Sequence, residues 1–296
     1  MHGGHAHQHG NDHLHAHAHG GLDRALALTA AFAVIELVGG WLADSLALMA
    51  DAAHMVSDVA ALALASVAGR IAARPAHDGM SYGYGRARVL AAQANGFGLW
   101  FVAGWIAWEA VGRLIAPPAV HGSLMLAVAV AGLAANLAVL RWLHGGNDLN
   151  TRAAWWHVLG DALGSLAAIV AALLVLWKGW ARADAVLSLV VTVILAWGGW
   201  RLVRETTLQL MEAAPAGADM AAIRRALTSD EEALDAHHVH VWTLPDGRLA
   251  LSAHVCVRDM ARWPELLPRL LAALRRAGVA HATLQPETGE TCVDDD

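Results

Sequence analysis

The sequence predicts an α-helical membrane protein: six spanning helices followed by a small α/β domain. Three observations lead there. Of 296 residues, 57% are apolar and only 16% charged, against roughly 25% charged in an ordinary soluble domain. The charge is uneven, with 22 charged side chains within the last 91 residues, 206–296. Upstream of that stretch lie six apolar segments, each near the ~20 residues that cross a bilayer as a helix.

Those segments run over about 25–43, 46–69, 89–112, 123–143, 153–177 and 183–203. Segment 123–140 has no charge, and 89–112 has only Glu109. Abundant Gly and Ala suit close helix packing in lipid. Trp41, Trp142, Trp155, Trp156, Trp177, Trp180, Trp197 and Trp200 mark the segment ends, as an aromatic belt at headgroup level would. Nine basic residues (Arg24, Arg70, Arg74, Arg86, Arg88, Arg141, Arg152, Arg201 and Arg204) fall on one side of such a bundle. Three fall on the other: Arg113, Lys178 and Arg182. The positive-inside rule then places both termini and the C-terminal domain in the cytoplasm of a multi-pass inner-membrane protein.

Three domains are expected. Residues 1–20 form a His-rich segment with nothing apolar to bury, read as disordered and able to gather metal loosely. Residues 21–207 form the membrane domain. Residues 208–296 read as α-β-β-α-β: a helix at 217–228, strands at 238–244 and 249–257 joined through Pro245-Asp246-Gly247, a helix at 264–277 ending before Gly278, and a strand at 279–285. The order suggests a small sheet with helices on one face. A net charge of −6 without a basic cluster argues against nucleic-acid binding. Two cysteines, Cys256 and Cys292, are too few for a disulfide framework.

Metal is the recurrent signal. There are 18 histidines, eight of them within the first 19 residues. More specific is the pattern inside two spans. Segment two, SLALMADAAHMVSDVAALALA, places His54 four residues before Asp58. Segment five, AAWWHVLGDALGSLAAIV, places His157 four residues before Asp161. Positions i and i+4 share a helix face, and ionisable groups within a span are expensive and mark function. Two such faces meeting would supply two N and two O ligands, a tetrahedral set suited to Zn2+. Asp51 lies near the same face and is read as supporting the ligands rather than joining them. Glu36 and Glu109 read as paired or interfacial carboxylates, with a proton path as the alternative. Asn95 and Asn136 read as interhelical hydrogen-bond partners.

Protons compete with metal for such ligands, which points to metal/proton exchange and away from a closed structural site. Two other classes are weighed against it. A membrane zinc hydrolase would need an open coordination position and a base, as in HExxH, and no HExxH occurs. A metal sensor would bind without flux.

These residues resemble the cation diffusion facilitators, in particular their bacterial zinc-efflux branch. The resemblance rests on SLALMADAAHMVSD, YGYGRARVLAAQANG, LNTRAAWWHVLGDALGS, HHVHVWTLPDGRLALSAHV and HATLQPE. It implies a homodimer with six spans per protomer, a cytoplasmic ferredoxin-like domain for metal sensing and dimerisation, and alternating access. Zn2+ would be both cargo and regulatory ligand, leaving the cytoplasm against protons; no organic cofactor and no enzymatic activity are expected. The alternative is broader efflux of Cd2+, Co2+ or Ni2+. The transport ligands carry over onto His54, Asp58, His157 and Asp161. A cytoplasmic regulatory site carries over onto His237, His254 and His281, with Glu287 beside them. Arg88 departs from the family, which usually has a carboxylate there. His238 is expected to face away from His237, because strand side chains alternate. His240 reads as strand core, with a ligand role as the alternative; Trp242 reads as core and Cys256 as buried, and an additional soft ligand is the lesser reading of Cys292.

Overall fold

The computed structural model describes residues 12–144, 149–244, 246–289 and 292. Six long helices come first: α1 (Asp12–Ala43), α2 (Leu46–Ala72), α3 (Ala87–Ile115), α4 (Gly122–Leu143), α5 (Leu149–Lys178) and α6 (Arg182–Leu210). The C-terminal elements are α7 (Met220–Leu227), β1 (Ala233–Thr243), β2 (Leu249–Val257), α8 (Trp263–Arg276) and β3 (Val279–Glu287). Five helices are long and apolar enough to cross a membrane: α2, α3, α4, α6 and the stretch Trp155–Lys178 of α5. The described apolar part of α1 is Ala27–Ala43. The expected His-rich segment lies outside the described residues up to residue 11. From Asp12 the backbone is helical, which differs from the disorder expected through residue 20. No Pro interrupts the run, and the helix extends back beyond its apolar part across Gly20 and Gly21, which are poor helix formers.

The chain divides into two compact units: Met1–Leu64 with Ala94–Arg201, and Ala65–Gln93 with Leu202–Asp296. In the first unit, α4 packs against α5 and α1 against α4. One apolar cluster joins Ala43, Ala47, Leu48, Met125, Ala129, Ala168 and Ala172. Another joins Leu46 and Ala50 of α2 to Ala103, Ile106 and Ala110 of α3 and Leu195 of α6. Small residues set the spacing. A Cβ at Gly132 would lie 2.8 Å from the Phe32 ring, and one at Gly199 would lie 2.9 Å from the Trp100 ring and 3.1 Å from the Gly96 carbonyl. Backbone and rings can approach only because these positions carry no side chain. Outside the bundle, Trp41, Val34, Phe101, Trp108, Val193 and Trp197 are exposed, which suits hydrocarbon and headgroup contact.

The start of α2 is held from a distance. Asp184 of α6 is 1% exposed and accepts three hydrogen bonds: from Ser45 Oγ at 2.6 Å, the Leu46 N–H at 2.8 Å and the Ala47 N–H at 3.1 Å. The first N–H groups of a helix have no partner within it, and a carboxylate there is favoured by the helix dipole as well. The preceding turn is fixed by Arg113, which donates to the Asp44 carbonyl at 2.6 Å and to Asp44 Oδ1 at 2.9 Å. Arg113 also pairs with Glu109 at 3.0 Å, so Glu109 is a paired carboxylate. The expected role of Asn136 is seen in its bond to Ser165 Oγ at 3.2 Å.

In the second unit the order is α-β-β-α-β, as the sequence suggests. The three-stranded sheet runs β1-β2-β3. β1 and β2 form an antiparallel hairpin. β2 and β3 are parallel, a pairing that requires a crossover, here through α8. Ile223 and Leu227 of α7 pack with Leu266, Leu270 and Leu274 of α8 and with Val241, Leu251, Val255 and Val279 of the sheet. Alternation then sends Ser252, His254 and Cys256 of β2 to the other face. Helix α8 stops where Gly278 takes φ 92°, the left-handed position that glycine fills after a helix.

Candidate metal sites

The two HxxxD pairs of α2 and α5 meet. His157 Nε2 lies 3.1 Å from Asp58 Oδ2 and 3.7 Å from Asp161 Oδ2. His54 Nε2 lies 3.6 Å from Asp58 Oδ2 and 4.0 Å from Asp161 Oδ1. A tetrahedral ion with N and O ligands at ~2.05 Å has ligand–ligand edges of about 3.3 Å. The four separations bracket that edge. His54, Asp58 and His157 alone already form a group whose donor atoms lie within 4.8 Å of one another. The cluster is asymmetric: Asp161 is 6% exposed, while His157 is 45% exposed. It is closed behind Asp161 and open beside His157.

Behind the cluster is a second acidic feature. Glu36 of α1 is fully buried. Neither of its carboxylate oxygens meets a hydrogen-bond donor among the described residues. Its neighbour is the carboxyl of Asp51, within hydrogen-bond reach. Glu36 is therefore neither interfacial nor ion-paired.

The C-terminal sheet builds another candidate site on its helix-free face. His237 Nε2 is 3.1 Å from Glu287 Oε2, and His254 Nδ1 is 2.8 Å from Glu287 Oε1. Register explains the grouping: His237 pairs with His254 across β1/β2, and His254 with Gln285 across β2/β3. His281 is not part of it. It pairs with Ala250, six residues from Glu287 along an extended strand, roughly 20 Å away. His238 also departs from expectation. Its φ is 47° at a bulge between His237 and His240, and a bulge breaks the alternation of faces. Its ring lies 5.3 Å from that of His237 and 5.0 Å from that of His254. His240 is exposed, not core, and Trp242 only half-buried; both line a cavity of about 860 Å3 with Tyr82 and Met211.

Cys256 is buried as expected, with Sγ 3.8 Å from His237 Nδ1. Burial, followed by the contact with the Cys292 thiol, pushes its pKa up to about 12. A thiol reacts as its thiolate, and at pH 8 only about one in ten thousand would be ionised. Maleimide at pH 7–9 is therefore expected to spare Cys256 in the folded protein and label it after denaturation. Rapid native labelling of a Cys292→Ala variant would contradict this.

Several apolar helices around an ionisable cluster fit a multi-pass membrane protein. Comparison with known sequences is specific. Residues 24–211 match the cation efflux transmembrane domain, and the chain belongs to that family. It is 39% identical over 289 residues to the zinc transporter ZitB of Escherichia coli (strain K12), covering 96% of this chain and 92% of that protein. It is 36% identical over 269 residues to the cadmium, cobalt and zinc/H(+)-K(+) antiporter of Bacillus subtilis (strain 168), covering 88% and 86%. It is 37% identical over 294 residues to the metal cation efflux system protein CzcD of Cupriavidus metallidurans, covering 97% and 90%.

Proposed function

We infer that this protein exports Zn2+ from the cytoplasm in exchange for protons, by alternating access around His54, Asp58, His157 and Asp161. The observation carrying the reading is the meeting of two i,i+4 His/Asp pairs at 3.1–4.0 Å. Two neutral imidazoles and two carboxylates neutralise a divalent ion while meeting its tetrahedral preference. Each ligand binds metal only when deprotonated, so proton arrival favours release. The zinc named for ZitB and the zinc and H(+) named for the Bacillus antiporter agree with it.

The same reading takes α1 as a sixth span, with both termini cytoplasmic in the inner membrane. It takes residues 1–20 as a metal-gathering tail, 21–207 as the transport domain and 208–296 as a ferredoxin-like cytoplasmic domain of a homodimer. In that domain His237, His254 and Glu287 would hold a regulatory Zn2+. Cadmium and cobalt, named for the Bacillus relative, are alternative cargoes, since a tetrahedral N/O set does not separate them by affinity alone.

Everted vesicles test the reading. With the lumen acidified, radioactive zinc is expected to accumulate and to leave again when nigericin collapses the gradient. Retained binding with no flux would replace the transporter by a sensor. A Cd2+ and Co2+ panel in the same vesicles ranks the cargoes.

A further inference from the structure

Glu36 is a costly residue that the metal ligand set does not use. An ionised carboxylate without a partner does not persist in an apolar interior. Glu36 is fully buried, and no donor faces either oxygen among the described residues. The group in reach is Asp51, itself a carboxylic acid. Two such groups have no donor to share unless a proton sits on one, and like charges this close do not both ionise. The geometry therefore calls for a bound proton. It joins two helices: α1, which carries Glu36, and α2, which carries Asp51 three residues before His54.

We propose that Glu36 and Asp51 form a proton-binding site separate from the metal ligands, and that this pair carries a proton exchanged for the metal in addition to protons that compete at the ligands. The proposal rests on the proton-exchange reading above and names residues for it. The charged groups acting on the pair are Asp161 from α5 and His54 from α2. Helix α4, against which α1 packs, has no ionisable side chain before Arg141. The sign of the coupling follows from charge. A divalent ion entering among His54, Asp58, His157 and Asp161 raises the local positive potential, and the pair then loses its proton. When the ion leaves, the pair recovers one. Metal and proton thus exclude each other without sharing a ligand atom, which is reciprocal linkage between two sites. Gly164 of α5 allows the approach, since a Cβ there would lie 3.5 Å from Asp51 Oδ1.

The test separates coupling from transport. Purified Glu36→Gln and Asp51→Asn variants keep the shape of the pair and abolish its titration. In proteoliposomes, zinc uptake driven by a pH gradient is expected to fall roughly ten-fold or more, the size of an ordinary coupling free energy. Exchange of radioactive zinc against unlabelled zinc, with equal pH on both sides, is expected to stay within about three-fold in the Glu36→Gln variant, because the four metal ligands and Asp51 are unchanged there. Gradient-driven uptake near the parent level in both variants would overturn the proposal. So would loss of exchange together with driven uptake, which assigns the pair to packing. A parent protein indifferent to the gradient would instead remove proton exchange itself, a result visible before any variant is made.

Discussion

Asp161→Ala is expected to reduce zinc transport roughly 100-fold or more while the protein remains folded in the membrane. On the proposed reading Asp161 is one of four ligands, so its loss would leave a three-coordinate remnant, and even partners of ligands typically cost 10–100-fold in metal affinity. Asp161 bridges the site by lying near both imidazoles, 4.0 Å from His54 and 3.7 Å from His157. Its carboxylate is also the most buried of the four. The bundle does not need it: Ala replaces a costly buried carboxylate with an apolar side chain, so the melting temperature in detergent should fall little. Zinc binding measured by calorimetry should weaken in parallel with flux. Parent-level export by this variant would end the assignment of the site.

Asp184→Ala should act in the opposite order, on stability first and transport second. The substitution strands the Leu46 and Ala47 N–H groups, which now bond Asp184 at 2.8 and 3.1 Å. Each stranded buried donor costs about 1–3 kcal/mol, so a total near ~3 kcal/mol is expected. Ser45 still offers its Oγ to the Leu48 N–H at 3.3 Å, which limits the loss. His54 sits eight residues further along α2, about 12 Å from the clamp, and a shift of the helix start moves it. A lowered melting temperature with slower transport is the expected result, with Asp184→Asn recovering part of both because its amide oxygen still accepts. An unchanged melting temperature for the Ala variant would remove the clamp as a stabilising element.

Much of this molecule was legible from local rules. Hydrocarbon tolerates few charges, so apolar length located the helices to within a few residues. The exceptions are α1, whose helix runs back to Asp12, and α6, which continues to Leu210 past the apolar segment's end. The turn at Asp246-Gly247 and the stop at Gly278 followed from the φ values glycine permits. The faces of β1 were harder. Alternation put His238 opposite His237, but a bulge turned it back, and bulges have no reliable local signature when the residue is not glycine. His281 looked like a member of the His cluster by composition. The parallel register set it at the far end of β3, and only the crossover through α8 decides that register.

Sequence alone determined where the membrane helices lie and that His54/Asp58 and His157/Asp161 each share a face. Both depend on rules acting within a few residues: the 3.6-residue period and the cost of charge in lipid. Tertiary structure decided which faces meet. It brought the two pairs to 3.1–4.0 Å, set Asp184 on a helix start 138 residues away and left Glu36 without a hydrogen-bond donor among the described residues. Those contacts join helices far apart in the chain. They depend on which small residues let helices approach, and no local periodicity encodes that choice.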